Sequence, residues 1–281
     1  MTKIAAIQMA SGTNVSANLN EISRQILSAA KAGAKLIVLP ENFAIMGLQD
    51  ADQVKVAEDE GTGPIQDFLS EQAKNNKIWI VAGTVPIKLN SDNVNYENKV
   101  YAACLVYNEK GEVVSRYDKI HLFDVHLEIT SETYNESETI EAGNKAVVVE
   151  TPFGKIGLAI CFDLRFPELF RQLVLLGAEV IVLPSAFTAI TGKAHWEVLL
   201  RARAIENLCY VVASAQGGYH VNGRQTHGDS MIIDPWGGIL DHLPQGSGYV
   251  IADVDIENVN NIRKNFPVLQ NRKISCTLPK E

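Results

Sequence analysis

A thiol, a carboxylate and an ammonium group stand at three separated points of this 281-residue chain, each where an apolar run gives way to a turn. Cys161 follows I-G-L-A-I and opens C-F-D-L-R-F-P, Glu41 follows L-I-V-L-P, and Lys119 lies in S-R-Y-D-K-I-H-L-F-D. Together they would make an activated nucleophile. A thiol needs a base to become a thiolate, and a cation beside it both favours that thiolate and steadies a developing oxyanion. Taken singly, each has a plainer reading: a solvated turn glutamate, a surface lysine, a cysteine acting as a small buried hydrophobe. That plainer reading suffices for Cys104 and Cys209, which sit inside apolar strand patterns, and Cys276 lies in a polar tail.

The elements that must carry these groups are written twice. G-A-K-L-I-V-L-P-E-N-F at 33–43 returns as G-A-E-V-I-V-L-P-S-A-F at 177–187, with seven of eleven positions identical. A strand and a helix precede each copy: Leu19, Ile22, Ile26 and Ala30 recur at helical spacing before the first, and Leu169, Phe170, Leu173 and Val174, after Pro167, before the second. A second helix and strand follow each: Ile65, Phe68, Leu69 and Ala73 before K-I-W-I-V-A-G, and about His195 to Glu206 before N-L-C-Y-V-V-A-S. A hairpin pattern closes each half, which gives β-α-β-α-β-β twice. Near-continuous apolar strands need cover on both faces, so the expected fold is α/β, a four-layer α-β-β-α sandwich rather than two separate half-domains. The expected plan is one domain over 1–281, with halves at about 1–124 and 147–256 and a C-terminal tail. The connecting loop 125–146 holds five glutamates and reads as a lid or wall. The two copies differ where it matters: the first turn continues Glu41-Asn42, the second Ser185-Ala186, and a parallel strand delivers such residues to the carboxyl edge of its sheet.

Composition narrows the function classes. The 25 Lys+Arg against 33 Asp+Glu leave a net charge of −8, which gives no general attraction to nucleic acid or an anionic membrane. No run approaches the roughly 18 apolar residues of a membrane span. The four dispersed cysteines fit neither a zinc ribbon nor a disulfide scaffold and suit a reducing cytoplasm. No dinucleotide or P-loop fingerprint occurs, T-G-K-A at 191–194 being a fragment, so no organic cofactor or metal is implied.

At the level of motifs the chain resembles the nitrilase superfamily of carbon-nitrogen hydrolases over essentially its whole length. L-P-E-N-F matches the family's glutamate at Glu41, R-Y-D-K-I-H-L-F-D its lysine at Lys119, and C-F-D-L-R-F-P-E its cysteine at Cys161. The resemblance implies an α-β-β-α sandwich with a Cys-Glu-Lys triad. It also implies a second glutamate after the lysine. Glu136 in Y-N-E-S fits best, with Glu128 and Glu132 as substitutes. H-W-E-V-L-L-R-A-R-A-I-E, A-Q-G-G, G-D-S-M-I-I-D-P-W-G and F-P-V-L-Q-N-R look more like the deaminated glutathione amidase branch than the omega-amidases. The expected substrate is then a small amide of a 2-oxo acid. The backbone N–H of Phe162 would join Lys119 at the oxyanion, Arg165 would take the substrate carboxylate, and Thr191 would add a hydrogen bond. An ion pair of Arg165 with Asp163 or Glu168 is the structural alternative. His195 and Trp196 read as helix start and core, and Glu197 and Arg201 as a helix-face pair. Other readings are an omega-amidase, a Cys/His hydrolase using His195 or His227, and a non-catalytic interaction module with a vestigial pocket. Family likeness also suggests a homodimer or larger homo-oligomer.

Overall fold

The two Gly-Ala repeats fold alike. Gly33 and Gly177 take φ of 100° and 99°, a left-handed conformation that glycine adopts without steric cost. The next N–H closes the preceding helix five residues back, Ala34 to the Ala29 carbonyl at 3.1 Å and Ala178 to the Leu173 carbonyl at 3.0 Å. Each repeat therefore ends a helix and launches a buried strand.

A computed structural model describes residues 1–89, 98–128 and 131–275; Cys276 lies outside the described residues. The first half runs β1 (Thr2–Gln8), α1 (Val15–Lys31), β2 (Leu36–Val38), α2 (Asp52–Lys55), α3 (Pro64–Asn76), β3 (Trp79–Val81), β4 (Val85–Lys88), β5 (Val100–Tyr107) and β6 (Val113–Asp118). Next come β7 (Asp124–Leu127), β8 (Glu132–Asn135), a 3-10 turn (Glu136–Glu138) and β9 (Ile140–Glu141). The second half begins with β10 (Val148–Thr151), β11 (Gly154–Leu158), a 3-10 turn (Cys161–Arg165), α4 (Pro167–Leu175), β12 (Val180–Ser185), α5 (Ala189–Asn207) and β13 (Tyr210–Ala215). It ends with β14 (Gly217–Tyr219), β15 (Gln225–His227), β16 (Ser230–Ile233), β17 (Ile239–Leu243), β18 (Gly248–Val254) and α6 (Ile256–Asn265).

One sheet has the order β18-β1-β2-β3-β5-β4, with β6 and β9 also on β5; the other is β10-β11-β12-β13-β16-β17. In each, three strands run parallel, β1-β2-β3 and β11-β12-β13. Side chains alternate along β1: Ala5 and Ile7 pack with Ile22, Ile26, Ile65 and Leu69 of α1 and α3. Ile4 and Ala6 join the core shared with the second sheet, which continues through Val182 and Val212 to Trp196 and Leu200 of α5. The layers are thus helix, sheet, sheet, helix.

Strand direction decides where the chemistry lands. β5 runs against β3, and β6 against β5, so β6 runs with β2 and both end at one sheet edge. A parallel bridge between Met9 and Gln216 ties the end of β1 to the end of β13, bringing the carboxyl edges of the two sheets together.

Three expectations need correction. Residues 125–146 are not a plain loop, because β7 and β8 pair as a hairpin and β9 joins the first sheet beside β5. The half boundary at about 256 needs a finer reading, since β18, within the second half, completes the first sheet against β1. Helix α5 starts at Ala189, earlier than its apolar stripe indicates, so Thr191 and His195 lie on it. No helix among the described residues is long and apolar enough to cross a membrane.

Candidate active site

Glu41 leaves the edge just after β2, Lys119 follows β6, and Cys161 opens the turn after β11; all three are buried. Lys119 Nζ lies 2.8 Å from Glu41 Oε1 and 2.7 and 2.8 Å from the two oxygens of Glu136. Glu41 and Ala186 line the same cleft as Cys161, with the Glu41 carboxylate and the Ala186 backbone N–H close enough to act on the thiol. The glutamate that holds the lysine is therefore Glu136, whose Oε2 also accepts the Phe123 N–H at 2.6 Å. Glu128 is exposed at the end of β7, and Glu132 is half-buried beside Tyr134.

The charges fix one another. Burial alone would lower the Lys119 ammonium, but Glu136 and Glu41 outweigh it and hold its pKa well above the ordinary lysine value. Burial also pushes the Cys161 thiol far up, the Glu41 charge adds to this, and Lys119 opposes it. The Cys161 side chain is thus a neutral S–H at rest. Burial and the charge of Glu41 raise Glu136, against the pull of Lys119.

Local geometry explains how these side chains are aimed. Cys161 has φ +48°, a strained conformation for a non-glycine residue that turns its side chain off the strand end. Asn42, after Glu41, has φ +57°, and its N–H is caught by Thr84 Oγ1 at 2.8 Å. The Glu41 carbonyl accepts Gln216 Nε2 at 2.9 Å, and that side-chain carbonyl receives the Ser11 N–H at 2.9 Å.

Asp163 is the residue that joins the nucleophile turn to the lysine strand. Fully buried, it accepts the Ile160 N–H at 2.8 Å, the Tyr117 hydroxyl at 2.7 Å and the His121 N–H at 3.1 Å, and it lies 2.7 Å from His121 Nδ1. One carboxylate thereby links the residue before Cys161 to residues on both sides of Lys119. The sequence reading considered Asp163 only as a partner for Arg165, and no such ion pair forms with it or with Glu168. The Arg165 guanidinium instead lies 5.1 Å from the Phe187 ring and 5.8 Å from that of Phe162, with Nη1 3.2 Å from His195 Nδ1.

These groups open into a cleft lined by both apolar and charged side chains. Phe162, Arg165 and Thr191 line it as the sequence indicates, and the Thr191 hydroxyl meets that of Thr188 at 2.7 Å. No histidine lines it among the described residues. His195 is exposed on α5 beside Arg165, and His227 lies on β15 with its N–H on the Phe187 carbonyl. Trp196 is buried, its indole N–H donating to the Asp229 carbonyl at 2.8 Å, and Glu197 pairs with Arg201 at 3.1 Å on the helix surface. The lining also includes Arg224, which sequence reasoning missed. It sits in G-Y-H-V-N-G-R-Q-T-H with no local motif, and only the β14–β15 hairpin brings it to the cleft.

Residues 3–264 match the carbon-nitrogen hydrolase family. The chain is 43% identical over 270 residues to the deaminated glutathione amidase of Synechocystis, covering 95% of this chain and 97% of that one. It is 39% identical over 279 residues to the deaminated glutathione amidase of Yersinia enterocolitica, with 99% and 95% covered. Among solved structures, Nit3 of Saccharomyces cerevisiae, a member of branch 10 of the nitrilase superfamily, superposes with a TM-score of 0.85 at 30% identity, over 97% of each chain. The reading as a non-catalytic module falls with these matches.

Replacing Asp163 by Asn sets an amide NH2 among groups that all donate. Asp163→Asn is expected to cost about 3 kcal/mol of stability, as for a broken buried charged hydrogen-bond set. Urea unfolding midpoints measure it, and a loss under ~1 kcal/mol would remove Asp163 as the clamp.

Proposed function

The chain belongs to the carbon-nitrogen hydrolase family, and from that membership we propose that Cys161 is its nucleophile and deaminated glutathione its substrate, cleaved to 2-oxoglutarate and Cys-Gly. It is an amidase that hydrolyses a carbon–nitrogen bond through a cysteine. The observation that carries the residue roles is the buried Lys119 ammonium, gripped by two carboxylates, one of which, Glu41, shares the cleft with the Cys161 thiol.

In this mechanism the thiol proton passes to Glu41 as sulfur attacks the amide carbonyl carbon. Lys119 and the Phe162 backbone N–H hold the oxyanion. Lys119 is too firmly protonated to act as a base, and Glu136 keeps it so. Collapse of the tetrahedral species breaks the C–N bond while Glu41 returns its proton to the amine nitrogen. A thioester remains. Glu41 then takes a proton from water, the hydroxyl adds to the thioester carbonyl, and collapse releases the carboxylic acid and restores the thiol.

For the substrate, Arg165 is the cation that pairs with the 2-oxo acid carboxylate, with the Thr191 hydroxyl beside it. The likeness to two deaminated glutathione amidases over nearly the whole chain supports this choice over the omega-amidase reading. We further propose that residues 1–281 act as one catalytic domain, since both sheets share one core. The free thiols of Cys104, Cys161 and Cys209 suit the cytoplasm. A homodimer or larger homo-oligomer is supported by exposed apolar side chains: Val198 and Ile205 of α5 are 69% and 48% accessible, and Trp236, 64% accessible, meets Phe266 edge-on at 5.5 Å.

Release of 2-oxoglutarate from deaminated glutathione should exceed that from 2-oxoglutaramate. Equal weak rates would sink the substrate choice. Cys161→Ala should abolish turnover, and Glu41→Gln should lower kcat by about 10²- to 10⁴-fold, the range for a lost general base. Because Glu136 raises the Lys119 pKa, Glu136→Gln lowers it, so the ammonium is lost at lower pH and the alkaline limb of the kcat profile moves down. An unmoved limb contradicts that role. Light scattering of the purified chain tests the assembly, a monomer mass counting against it.

A further inference from the structure

The cleft holds a third cation, which the mechanism leaves unused. Arg224 enters from the β14–β15 hairpin, and its guanidinium lies 4.6 Å from the Tyr134 ring centroid. The Tyr134 ring is 5.0 Å from Phe123, Phe123 is 5.1 Å from Phe162, and Phe162 is 5.8 Å from the Arg165 guanidinium. Three rings therefore form a continuous wall with an arginine over each end. Phe162 adjoins the nucleophile, so Arg165 stands at the reacting end and Arg224 at the other.

The backbone of Arg224 is fixed while its charge is weakly committed. His220 N–H donates to the Arg224 carbonyl at 2.9 Å, the Arg224 N–H to Asn222 Oδ1 at 3.0 Å, and Asn222 Nδ2 across to the Gly47 carbonyl at 2.8 Å. Its ion pair is with Asp50, at 3.6 Å, and the Asp50 side chain is 52% exposed. A long pair open to solvent is weak, so an incoming carboxylate can take the place of Asp50.

We propose that Arg224 binds a carboxylate on the leaving-group side of the scissile amide, which in deaminated glutathione is that of the terminal glycine. This rests on the substrate reading above. The two carboxylates of that molecule lie at opposite ends of three amide-linked units, roughly 11 Å when extended. One guanidinium cannot serve both. With Arg165 on the acyl side and Arg224 on the amine side, the bonds to each end survive until the C–N bond breaks. Each product then keeps a single cation. Arg224 is thus a specificity-determining residue, separating peptide-like leaving groups from ammonia.

The test compares kcat/KM for deaminated glutathione and for its analogue with the terminal glycine amidated, using the unaltered chain and Arg224→Gln. The unaltered chain should prefer the acid about 10- to 100-fold, the worth of a charge-assisted hydrogen bond, and in Arg224→Gln that ratio should fall to near one. Arg224→Lys should recover part of it. A ratio near one in the unaltered chain, or one that persists in Arg224→Gln, overturns the assignment while activity on deaminated glutathione stands. If the unaltered chain hydrolyses neither compound, the substrate reading fails and this assignment with it. The ratio in the unaltered chain tests the proposal even if the variant folds poorly.

Discussion

A lysine ammonium with 1% of its surface accessible cannot exist in this protein without compensation, and the site is organised around providing it. Two carboxylates within 2.8 Å supply more negative charge than one ammonium requires. Burial keeps the nearby thiol protonated, and the Glu41 charge adds to this, because a thiolate would place a further negative charge in a buried cluster. In the proposed mechanism the thiol is therefore activated only when a substrate offers its carbonyl carbon to the sulfur. A thiol held this way is also shielded from adventitious oxidation, which follows thiolate character and exposure.

The duplicated fold supplies two equivalent strand ends and uses them differently. In the first copy the L-P turn delivers the Glu41 side chain; in the second the same turn delivers the Ala186 backbone N–H to the sulfur. The β13–β16 connection carries the β14–β15 hairpin, whereas the β3–β5 connection carries β4, which stays in the sheet. Asymmetry between the copies thus lies in the connections, and the cleft is walled by them.

Much of this was readable because it is periodic or local. The repeated Gly-Ala corners, the apolar strands and the turns holding Glu41, Lys119 and Cys161 all announce themselves within a dozen residues. What the sequence concealed depends on partners distant in the chain. The hairpin of β7 and β8 is short and polar, so no alternation marks it, yet it aims Glu136 at Lys119 across 17 positions. Helix α5 starts six residues before His195, and its first turn carries Thr191 at the cleft, where a polar side chain hides the apolar stripe. Asp163 has Arg165 two residues on, but apart from the local Ile160 N–H its donors come from Tyr117 and His121, 46 and 42 positions away. β18 reads as a continuation of the second half, and only the open edge of β1 explains why it crosses to the first sheet.

The clamp at Asp163 and the charge surplus serve one end. In the proposed cycle the site starts with Glu41 and Glu136 negative, Lys119 positive and the thiol neutral. When the thiol proton reaches Glu41 and sulfur bonds the carbonyl carbon, one negative charge has moved from carboxylate to oxyanion, and the total is unchanged. No buried charge is created at any step; it only changes position by a few ångströms next to the same ammonium. Such a transfer needs little reorganisation provided the three groups stay in register, since the stabilising dipoles already point the right way. Register depends on holding a strained Cys161 backbone, with φ +48°, against a strand end from another sheet. A salt bridge on the surface would not hold it, whereas a buried carboxylate receiving donors from both segments does. The cost of burying Asp163 is thus spent on positioning, and the reaction draws on that rigidity.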